Sequence, residues 1–249
     1  MKTIVVIPAR YQSSRFPGKP LIPLLDKPMI LWVAELSAKA VGAHSVFIAT
    51  DDERIAQVVI GAGYQVVMTS KDALTGTDRL AEVARKIEAD IYINVQGDEP
   101  LVQPSDILNM IDEKQRFPDS VINGYCALST EEDPQSVNIP KVIFTEQKHM
   151  IYMSRQAIPG FKDTKGEPEN YYKQVCIYAF SRQELLDYGK YGKKSRIEQS
   201  EDIEILRFLE WEQKIRMVET QPGSLAVDVP EDVFKVESAL KRSQEGEAL

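Results

Sequence analysis

Three cations lie close together near the amino terminus, directly after a predicted strand. Arg10, Arg15 and Lys19 belong to the stretch IVVIPARYQSSRFPGKP, which spans residues 4–20. The first twenty residues contain no Asp or Glu, whereas the whole chain carries a net charge of −8. Fixed positive charges in one loop suit a polyphosphate, and an ordinary solvated basic loop is the alternative. The stretch has neither the Walker spacing GxxxxGK[ST] nor the Rossmann spacing GxGxxG.

Two carboxylates are candidates to act with these cations. Asp98 follows a continuous apolar run at 91–95, which predicts a buried strand. Ligands of open α/β sheets bind at the carboxyl ends of parallel strands, so we expect Asp98 at the same edge as the basic loop. A turn residue or helix cap is the alternative for Asp98. Asp228 lies in AVDVPED, which by itself is typical of a helix start.

Strands and helices alternate through the first half of the chain. Apolar runs predict strands at 3–7, 45–50, 65–68 and 91–95, and helical spacing predicts helices at 28–40, 53–60 and 105–115. Pro8 is expected to end the first strand because it donates no hydrogen bond. Thr77 is a candidate N-cap for the helix that opens at TGTDR. The alternation predicts an α/β fold with a doubly wound, mostly parallel, Rossmann-like sheet and helices on both faces.

The second half of the chain changes character and predicts a smaller mixed subdomain. Strands are expected at 121–128, 141–144, 175–180 and 215–218, and helices at 182–188, 201–212 and 230–240. No long basic stripe exists to neutralise nucleic-acid phosphates, and no apolar run approaches the ~20 residues of a membrane span. Cys126 and Cys176 have no metal-type spacing. Two free thiols predict a reducing compartment, and hence a cytoplasmic protein.

Several motifs together resemble one family. PARYQSSRFPGKPL at 8–21 closely resembles the signature PARY-x-S-[ST]-R-x-PGKPL of the CMP-Kdo synthetases, which are 3-deoxy-manno-octulosonate cytidylyltransferases. NVQGDEP at 94–100 and VDVPED at 227–232 resemble the family's two metal-binding motifs, with Val229 in place of a Thr. TGTDR at 75–79 resembles the family's nucleobase loop S-G-T-[ED]-R. The resemblance spans nearly the whole chain.

This resemblance implies a reaction. The chain is expected to transfer CMP from CTP to the anomeric hydroxyl of a 3-deoxy-2-keto sugar acid, with Kdo as the leading acceptor, and to release pyrophosphate for lipopolysaccharide or capsule biosynthesis. The implied cofactor is Mg²⁺, held by Asp98 and Asp228, and the implied assembly is a homodimer. Arg10 and Lys19 join these two carboxylates as catalytic residues. The nucleotide-binding positions implied by the resemblance are Ala9, Arg10, Ser14, Arg15, Lys19, Thr75, Gly76, Thr77, Arg79 and Gln96.

The acceptor-binding positions show where the chain departs from the family. YMSR at 152–155 parallels the family's Y-[FM]-S-R, so Arg155 is a natural fork for a carboxylate, with a structural ion pair as the alternative. KQVCIY at 173–178 replaces R-H-L-G-I-Y, and it places Gln174 where the family has a sugar-contacting His. In EDIEILR at 201–207, Ile205 replaces a Gln. The implied acceptor-binding positions are Gln96, Arg155, Gln174, Tyr178 and Glu204.

Two alternatives remain open, and the departures at Gln174 and Ile205 favour the first. One is a cytidylyltransferase for a different acid, such as an amino-Kdo, another ulosonic acid or a phosphonate. The other, from a different class, is a non-catalytic CTP-binding regulatory paralogue. In either case, we expect residues 1–249 to form a single nucleotidyltransferase domain. Its parts are a nucleotide-binding half at about 1–118, an acceptor-binding and dimerisation subdomain at about 119–225, and a metal-ligand loop and C-terminal helix at 226–249.

Overall fold

The computed structural model describes residues 1–12, 16–222, 225–227 and 229–244. The strands are β1 (Thr3–Ala9), β2 (Pro23–Leu24), β3 (Lys27–Pro28), β4 (Val46–Thr50), β5 (Gln65–Met68), β6 (Ile91–Val95), β7 (Val121–Ala127), β8 (Lys141–Phe144), β9 (Met150–Ser154), β10 (Tyr172–Ser181) and β11 (Ile215–Glu219). The helices are α1 (Met29–Val41), α2 (Glu53–Gly61), α3 (Gly76–Lys86), α4 (Pro104–Arg116), α5 (Arg182–Tyr191), α6 (Arg196–Glu201), α7 (Leu206–Glu210) and α8 (Asp232–Gln244). Single 3₁₀ turns occur at Lys19–Leu21, Ala43–Ser45 and Thr164–Gly166.

One mixed sheet organises the described residues. Its main path runs β11-β7-β10-β6-β1-β4-β5, and β8 pairs with β10 and β9. The β6-β1-β4-β5 part is parallel throughout, and β11 pairs parallel to β7. The long strand β10 is antiparallel to β6, β7 and β8. The predicted α/β class with a mostly parallel sheet is confirmed.

Helices cover both faces of this sheet, as the doubly wound prediction requires. Buried side chains of α3, α5 and α7 pack on one face, where Tyr92, Tyr178 and Phe180 contribute from the strands. Buried side chains of α1, α2 and α4 pack on the opposite face against Val5, Ile7 and the other apolar residues of the parallel strands. Strands covered on both faces read as continuous apolar runs, which explains why β4 and β6 were predicted to within one residue.

Two of the predicted boundaries are wrong in ways that affect the site. The first strand does not end at Pro8, because Pro8 pairs with Ala49 and β1 continues to Ala9. The pairing of β1 with β6 stops at Val6, so Pro8 lies where β1 has a neighbour on one side only, and there a missing N–H is tolerated. The predicted helix at 201–212 is broken, because Asp202 adopts a left-handed conformation (φ 51°) between α6 and α7. This break exposes one side of Glu204 to a cavity.

The C-terminal segment closes the carboxyl edge of the sheet. Val227, Val236, Ala239 and Leu240 form a third apolar cluster with residues of β2 and α1, including Trp32. This cluster brings the segment from the far end of the chain beside the loop that follows β6. No helix within the described ranges is long and apolar enough to span a membrane.

Candidate active site

The loops that follow β1 and β6 meet at the carboxyl edge of the sheet. A Cβ atom on Gly97 would lie 2.9 Å from the carbonyl oxygen of Pro8, closer than real Cβ contacts allow. Gly97 therefore lets the two strand ends approach each other. The next residue, Asp98, is held at this junction, where its backbone oxygen accepts a hydrogen bond from the N–H of Val227 (3.1 Å).

The basic loop after β1 is closed on itself. Gly18 adopts a left-handed conformation (φ 73°) and donates its N–H to the carbonyl oxygen of Tyr11 (2.8 Å). This turn requires glycine, since a side chain here would be strained and would also meet the Tyr11 ring. The closure leads into the 3₁₀ turn that begins at Lys19. The Lys19 Nζ atom then lies 2.5 Å from Oδ2 of Asp98.

A cavity of about 220 Å³ opens between these loops. The predicted nucleotide and catalytic residues that line it are Ala9, Arg10, Lys19, Thr75, Gly76, Arg79, Gln96 and Asp98. Residues from three separate parts of the chain therefore share one cleft. The sequence predicted that Asp98 and the basic loop share one edge of the sheet, but it gave no distances between the side chains of these loops.

The loop at 75–79 begins α3, and its cap differs from the prediction. Thr75, not Thr77, is the N-cap, and its hydroxyl oxygen accepts a hydrogen bond from the N–H of Asp78 (3.1 Å). The helix begins two residues earlier than expected because Gly76 already has helical geometry. The N–H of Thr77 is thus free for another acceptor, and it donates to Oε2 of Glu204 (3.0 Å).

A buried ion-pair network holds the 75–79 loop in position. The guanidinium of Arg207 donates to both carboxylate oxygens of Glu198 at 2.7 Å and to Oδ1 of Asp78 at 3.0 Å. Arg207 is fully buried, and its guanidinium stacks on the Tyr188 ring at 3.7 Å from the centroid. Asp78 in turn accepts a hydrogen bond from the Thr75 hydroxyl. The network therefore ties the position of the 75–79 loop to α6 and α7.

Arg79 is placed differently from the other cations of the cleft. Its guanidinium is 4% exposed and donates to the hydroxyl of Thr69 and the carbonyl oxygen of Ser70, while Asp51 lies 3.6 Å away. Burial lowers the pKa of Arg79, and the charge of Asp51 opposes that shift. The side chain is thus largely engaged within the protein, although it still forms part of the cavity wall.

A second, larger cavity of about 750 Å³ adjoins the first. Both cavities are bordered by Arg10, Thr75, Gly76 and Gln96. All five predicted acceptor-binding residues line the second cavity: Gln96, Arg155, Gln174, Tyr178 and Glu204. The fold thus places the predicted nucleotide and acceptor groups in two connected spaces.

Glu204 lines the second cavity beside Gln96, a residue that borders both cavities. Its carboxylate accepts hydrogen bonds from the Thr77 N–H and from Nε2 of Gln96 (3.3 Å). Burial raises the pKa of Glu204, and the hydrogen bond from Thr77 only partly offsets that shift. The carboxylate is therefore oriented by the nucleotide loop on one side and by the loop after β6 on the other.

Arg155 is oriented by backbone carbonyl groups. Its Nε donates to the oxygen of Glu201, Nη1 to Val137 (2.9 Å) and Nη2 to Asp202 (3.0 Å). A guanidinium has five N–H groups, so one remains on each terminal nitrogen. The predicted alternative of a structural ion pair does not describe these contacts. A carboxylate can accept hydrogen bonds from both terminal nitrogens of a guanidinium.

The β10 wall of the second cavity is neutral. Nε2 of Gln174 donates to the hydroxyl of Tyr178 at 3.0 Å, and both side chains are more than nine-tenths buried. Burial raises the pKa of Tyr178, and it also raises that of the Cys176 thiol beside it. Both groups therefore keep their protons across the physiological range.

Three predicted site residues, Ser14, Arg15 and Asp228, lie outside the described residues. Within the described ranges no group of three Asp, Glu, His or Cys side chains could hold a metal ion. Asp98 is nevertheless bonded through its backbone to Val227, the residue that precedes Asp228 in the chain. The two segments predicted to supply metal ligands therefore meet.

Sequence reasoning missed two groups that shape the site. Arg207 lies in the motif EDIEILR at 201–207, but the motif alone indicates no role for this residue. Asn123 was not singled out, although a polar residue inside the apolar run VINGYCAL is the signal that marks it. Both are fully buried and multiply hydrogen-bonded, so their effect on the site passes through other residues.

Comparisons with known proteins agree with the geometry. The sequence model of the cytidylyltransferase family matches residues 4–215. The 3-deoxy-manno-octulosonate cytidylyltransferase of Geobacter metallireducens is 40% identical, with 98% of this chain and 100% of the relative covered. The 8-amino-3,8-dideoxy-manno-octulosonate cytidylyltransferase of Shewanella oneidensis is also 40% identical, with 96% and 99% covered.

Solved structures extend the comparison to three dimensions. A CMP:2-keto-3-deoxy-manno-octonic acid synthetase solved in complex with CTP superposes with a TM-score of 0.90 at 38% identity, covering 98% of this chain and 100% of that one. A 4-diphosphocytidyl-2C-methyl-D-erythritol synthase from Anaerococcus prevotii, 11% identical with a TM-score of 0.64 and coverage of 97% and 99%, shares the fold alone. The chain therefore belongs to the cytidylyltransferase family.

Proposed function

We propose that this protein transfers CMP from CTP to the anomeric hydroxyl of a 3-deoxy-2-keto sugar acid and releases pyrophosphate. The observation that carries the proposal is the pair of connected cavities. One is bordered by the cations and small residues predicted for a nucleotide, and the other by the residues predicted for an acid. The CTP complex of the structural relative and the names of the 40% identical relatives support this assignment.

The nucleotide occupies the smaller cavity in this proposal. A triphosphate carries roughly four negative charges, and attack on its α-phosphorus is slowed mainly by that charge and by poor alignment. Arg10 and Lys19 supply positive charge at the cavity wall, and Ser14 and Arg15 extend the same loop in sequence. Thr75 and Gly76 also line this cavity, where small side chains leave room for the nucleobase. Thr77, also predicted to bind the nucleotide, is buried and does not line the cavity; its N–H is bonded to Glu204.

The residues near Asp98 fit a magnesium ion. The Asp98 carboxylate is partly exposed in the cleft and already holds one cation, the ammonium of Lys19. Asp228, the next residue after a hydrogen-bond partner of Asp98, is the proposed second ligand. Mg²⁺ commonly takes one or two carboxylates together with substrate phosphates, so two carboxylates suffice. When bound, the ion would neutralise phosphate charge and acidify the attacking hydroxyl.

The sugar acid occupies the larger cavity. The terminal nitrogens of Arg155 suit its carboxylate. Gln96 borders both cavities, and Glu204 lines the larger one beside it. Glu204 can accept a hydrogen bond from a sugar hydroxyl while Thr77 and Gln96 hold it in place. Kdo is the leading acceptor.

A second candidate acceptor is the 8-amino acid, 8-amino-3,8-dideoxy-manno-octulosonate. Relatives named for either acid match this chain at the same 40% identity, so overall similarity does not separate them. Gln174 in the acceptor cavity, at a position where the resemblance predicts His, is the observation that favours keeping this candidate.

The decisive experiment measures pyrophosphate release from CTP and from UTP with Mg²⁺, using Kdo, the 8-amino acid and other ulosonic acids as acceptors. We expect turnover with CTP and one of the first two acids. A clear preference for the 8-amino acid would replace Kdo as the substrate. CTP binding without turnover of any acid would contradict the proposal and favour a non-catalytic CTP-binding paralogue.

The remaining parts of the proposal concern assembly and location. We propose a homodimer, supported by the β8-β9 part of the sheet, where β9 pairs with β8 alone among the described strands and Ile151 is 53% exposed. Sedimentation velocity tests this. The division into parts at about 118 and 225, and a cytoplasmic location based on the free thiols Cys126 and Cys176, stay predictions.

A further inference from the structure

A β-bulge of two extra residues interrupts β10 beside the acceptor cavity. Val175 pairs with Gly124, but the next pair joins Tyr178 to Asn123. Two residues, Cys176 and Ile177, are thus inserted in β10 against none in β7. A Cβ atom on Gly124 would lie 2.6 Å from the Ile177 side chain, so glycine at 124 makes room for the inserted residues. Because two residues are inserted, the alternation of faces is preserved across the bulge.

The bulge increases the number of β10 side chains that face the acceptor cavity. Gln174, Cys176 and Tyr178 all line the acceptor cavity, and a regular strand would place fewer side chains opposite the same length of β7. Bulges commonly re-aim side chains next to active sites. The insertion therefore decides which groups of β10 the acceptor meets.

Asn123 holds the bulge, and its contacts determine how its amide is oriented. Its Nδ2 group lies 3.0 Å from the carbonyl oxygen of Val175 and 3.0 Å from that of Ile177. Carbonyl oxygens only accept hydrogen bonds, so the atom that faces them must be the NH₂ group. The opposite orientation would place three oxygen acceptors together in a fully buried position. Oδ1 of Asn123 therefore points away from the bulge as an acceptor.

The orientation of the Asn123 amide determines that of the Gln174 amide. Nε2 of Gln174 lies 3.1 Å from Oδ1 of Asn123 and 3.0 Å from the Tyr178 hydroxyl. Since Oδ1 is an acceptor, Gln174 must present its NH₂ group to it. Both hydrogens of that group are then used within the protein. Oε1 is the polar atom of Gln174 that is left for a ligand in the cavity.

We propose that Asn123 is a positioning residue that fixes Gln174 as a hydrogen-bond acceptor toward the sugar acid. The inference rests on the proposed function and deepens it. Through Gln174, the acceptor cavity selects a donor group of the sugar, a hydroxyl or an ammonium, at this wall. It disfavours a carboxylate there, which Arg155 binds instead. Asn123 itself does not line the cavity.

A double-mutant cycle tests this coupling. The variants are Asn123→Ala, Gln174→Met and the double variant, each assayed for the KM of the acid, the KM of CTP and kcat. We expect each single variant to raise the KM of the acid about tenfold, the factor of one lost hydrogen bond, with the KM of CTP nearly unchanged. The double variant is expected to resemble Gln174→Met alone, because Asn123 acts through Gln174.

Thr220→Val is the matched control. Thr220 is buried beside the same strand, where its hydroxyl donates to the carbonyl oxygen of Tyr125 (3.2 Å), but it does not contact Gln174. The control is expected to lower the melting temperature and leave the KM of the acid unchanged. An Asn123→Ala variant with a normal KM for the acid, or single effects that multiply to about a hundredfold in the double variant, would overturn the inference.

A second measurement does not depend on turnover or on the folding of the Asn123 variant. The side-chain amide signals of Gln174 can be assigned by NMR through their loss in Gln174→Met. In the wild type both hydrogens are expected to exchange slowly with solvent, and fast exchange would contradict the inferred orientation. If the wild-type protein turns over no acid, the proposed function fails, whereas slow exchange would still support the geometry.

Discussion

The Nζ atom of Lys19 lies 2.5 Å from Oδ2 of Asp98, although 79 residues separate the two in the chain. Lys19 belongs to the loop after β1, and Asp98 to the loop after β6. The pair therefore joins the loops that follow two neighbouring strands at the carboxyl edge of the sheet. In the free protein the ammonium neutralises Asp98, and we expect it to turn toward triphosphate oxygens when CTP binds.

Replacement of Asp98 by Ala should abolish turnover and leave the fold intact. The carboxylate is a proposed magnesium ligand in the wall of a cleft, and its side chain is 28% exposed. Its loss also releases Lys19, so we expect CTP binding to persist. Pyrophosphate release and CTP titration calorimetry measure the two effects separately.

Asp52→Ala is the matched control for this prediction. Asp52 follows β4 at the same edge and caps α2 by accepting a hydrogen bond from the Arg54 N–H (2.9 Å). Its loss should cost about 1 kcal/mol of stability with normal turnover. Substantial turnover by Asp98→Ala would refute the ligand role of Asp98.

Replacement of Lys19 by Ala should raise the KM of CTP and lower kcat together. In the proposed complex the ammonium would contact the triphosphate in the ground state and stabilise the charge that develops on pyrophosphate, so both parameters should depend on it. Lys27→Ala is the control, because Lys27 pairs with Glu35 and covers Trp32 outside the cavity. Steady-state kinetics with varied CTP decides the matter, and wild-type values for both parameters would remove Lys19 from the mechanism.

Replacement of Arg207 by Met should destabilise the protein strongly. The substitution leaves the carboxylate of Glu198, 1% exposed, buried without its cation, which typically costs about 3–5 kcal/mol. Because Asp78 also loses its partner, the 75–79 loop should shift and the KM of CTP should rise. Urea denaturation and CTP kinetics measure these effects. In the control Arg116→Met, the replaced side chain is 69% exposed and pairs with Glu113, so the change in stability should be less than about 1 kcal/mol. Equal losses in both variants would contradict the network's role.

The prediction from sequence succeeded where a local pattern determines the outcome. A buried parallel strand is a continuous apolar run, so β6 was predicted with its observed bounds. The rule that ligands bind at the carboxyl ends of parallel strands then placed Lys19 and Asp98 at one edge, where the structure has them in contact.

The prediction failed where tertiary contacts outweigh local preference. The residues at 201–212 have a helical pattern, but Lys194 pairs with Asp202, and Asp202 takes the left-handed conformation that breaks the helix. The β10 bulge depends on a side chain of another strand, Asn123, about fifty residues away. Neither effect leaves a periodic signal in the segment that it reshapes, so the shape of the acceptor cavity could not be read from the motifs.

The pH dependence of stability should report on Glu204. Burial raises the pKa of Glu204 above its ordinary value of 4.5, so the folded protein holds this proton more tightly than the unfolded chain. The stability that this group contributes is fully present below pH 4.5 and is lost as the pH rises through the folded-state pKa. In Glu204→Gln this loss should be absent.

Urea titrations from pH 4.5 to 8.5 measure this effect as the difference in the free energy of unfolding between Glu204→Gln and the wild type. The other titrating groups are common to both proteins, so their contributions cancel in this difference. It should therefore move in favour of the variant as the pH rises and level off above the folded-state pKa of Glu204. A glutamine can still accept the hydrogen bond from the Thr77 N–H, which keeps the loop in place. A difference that does not vary with pH would show that the pKa of Glu204 is not raised.

Replacement of Gly97 by Ala should damage both stability and turnover, although the change adds only one methyl group. The new Cβ would lie 2.9 Å from the Pro8 oxygen and 3.2 Å from Cδ1 of Ile30, so the ends of β1 and β6 must separate. Overpacking of this kind costs about 1–3 kcal/mol, and a shift of Asp98 by about 1 Å can lower the rate about a hundredfold. In the matched control Gly61→Ala, the new Cβ would lie within 4 Å of nothing but its chain neighbours and the backbone of its own helix. Because Gly61 is the last residue of α2, the helix should gain at most about 0.5–1 kcal/mol. Thermal unfolding and pyrophosphate release measure both variants, and a Gly97→Ala enzyme with normal kcat would show that the junction of the two strand ends does not position Asp98.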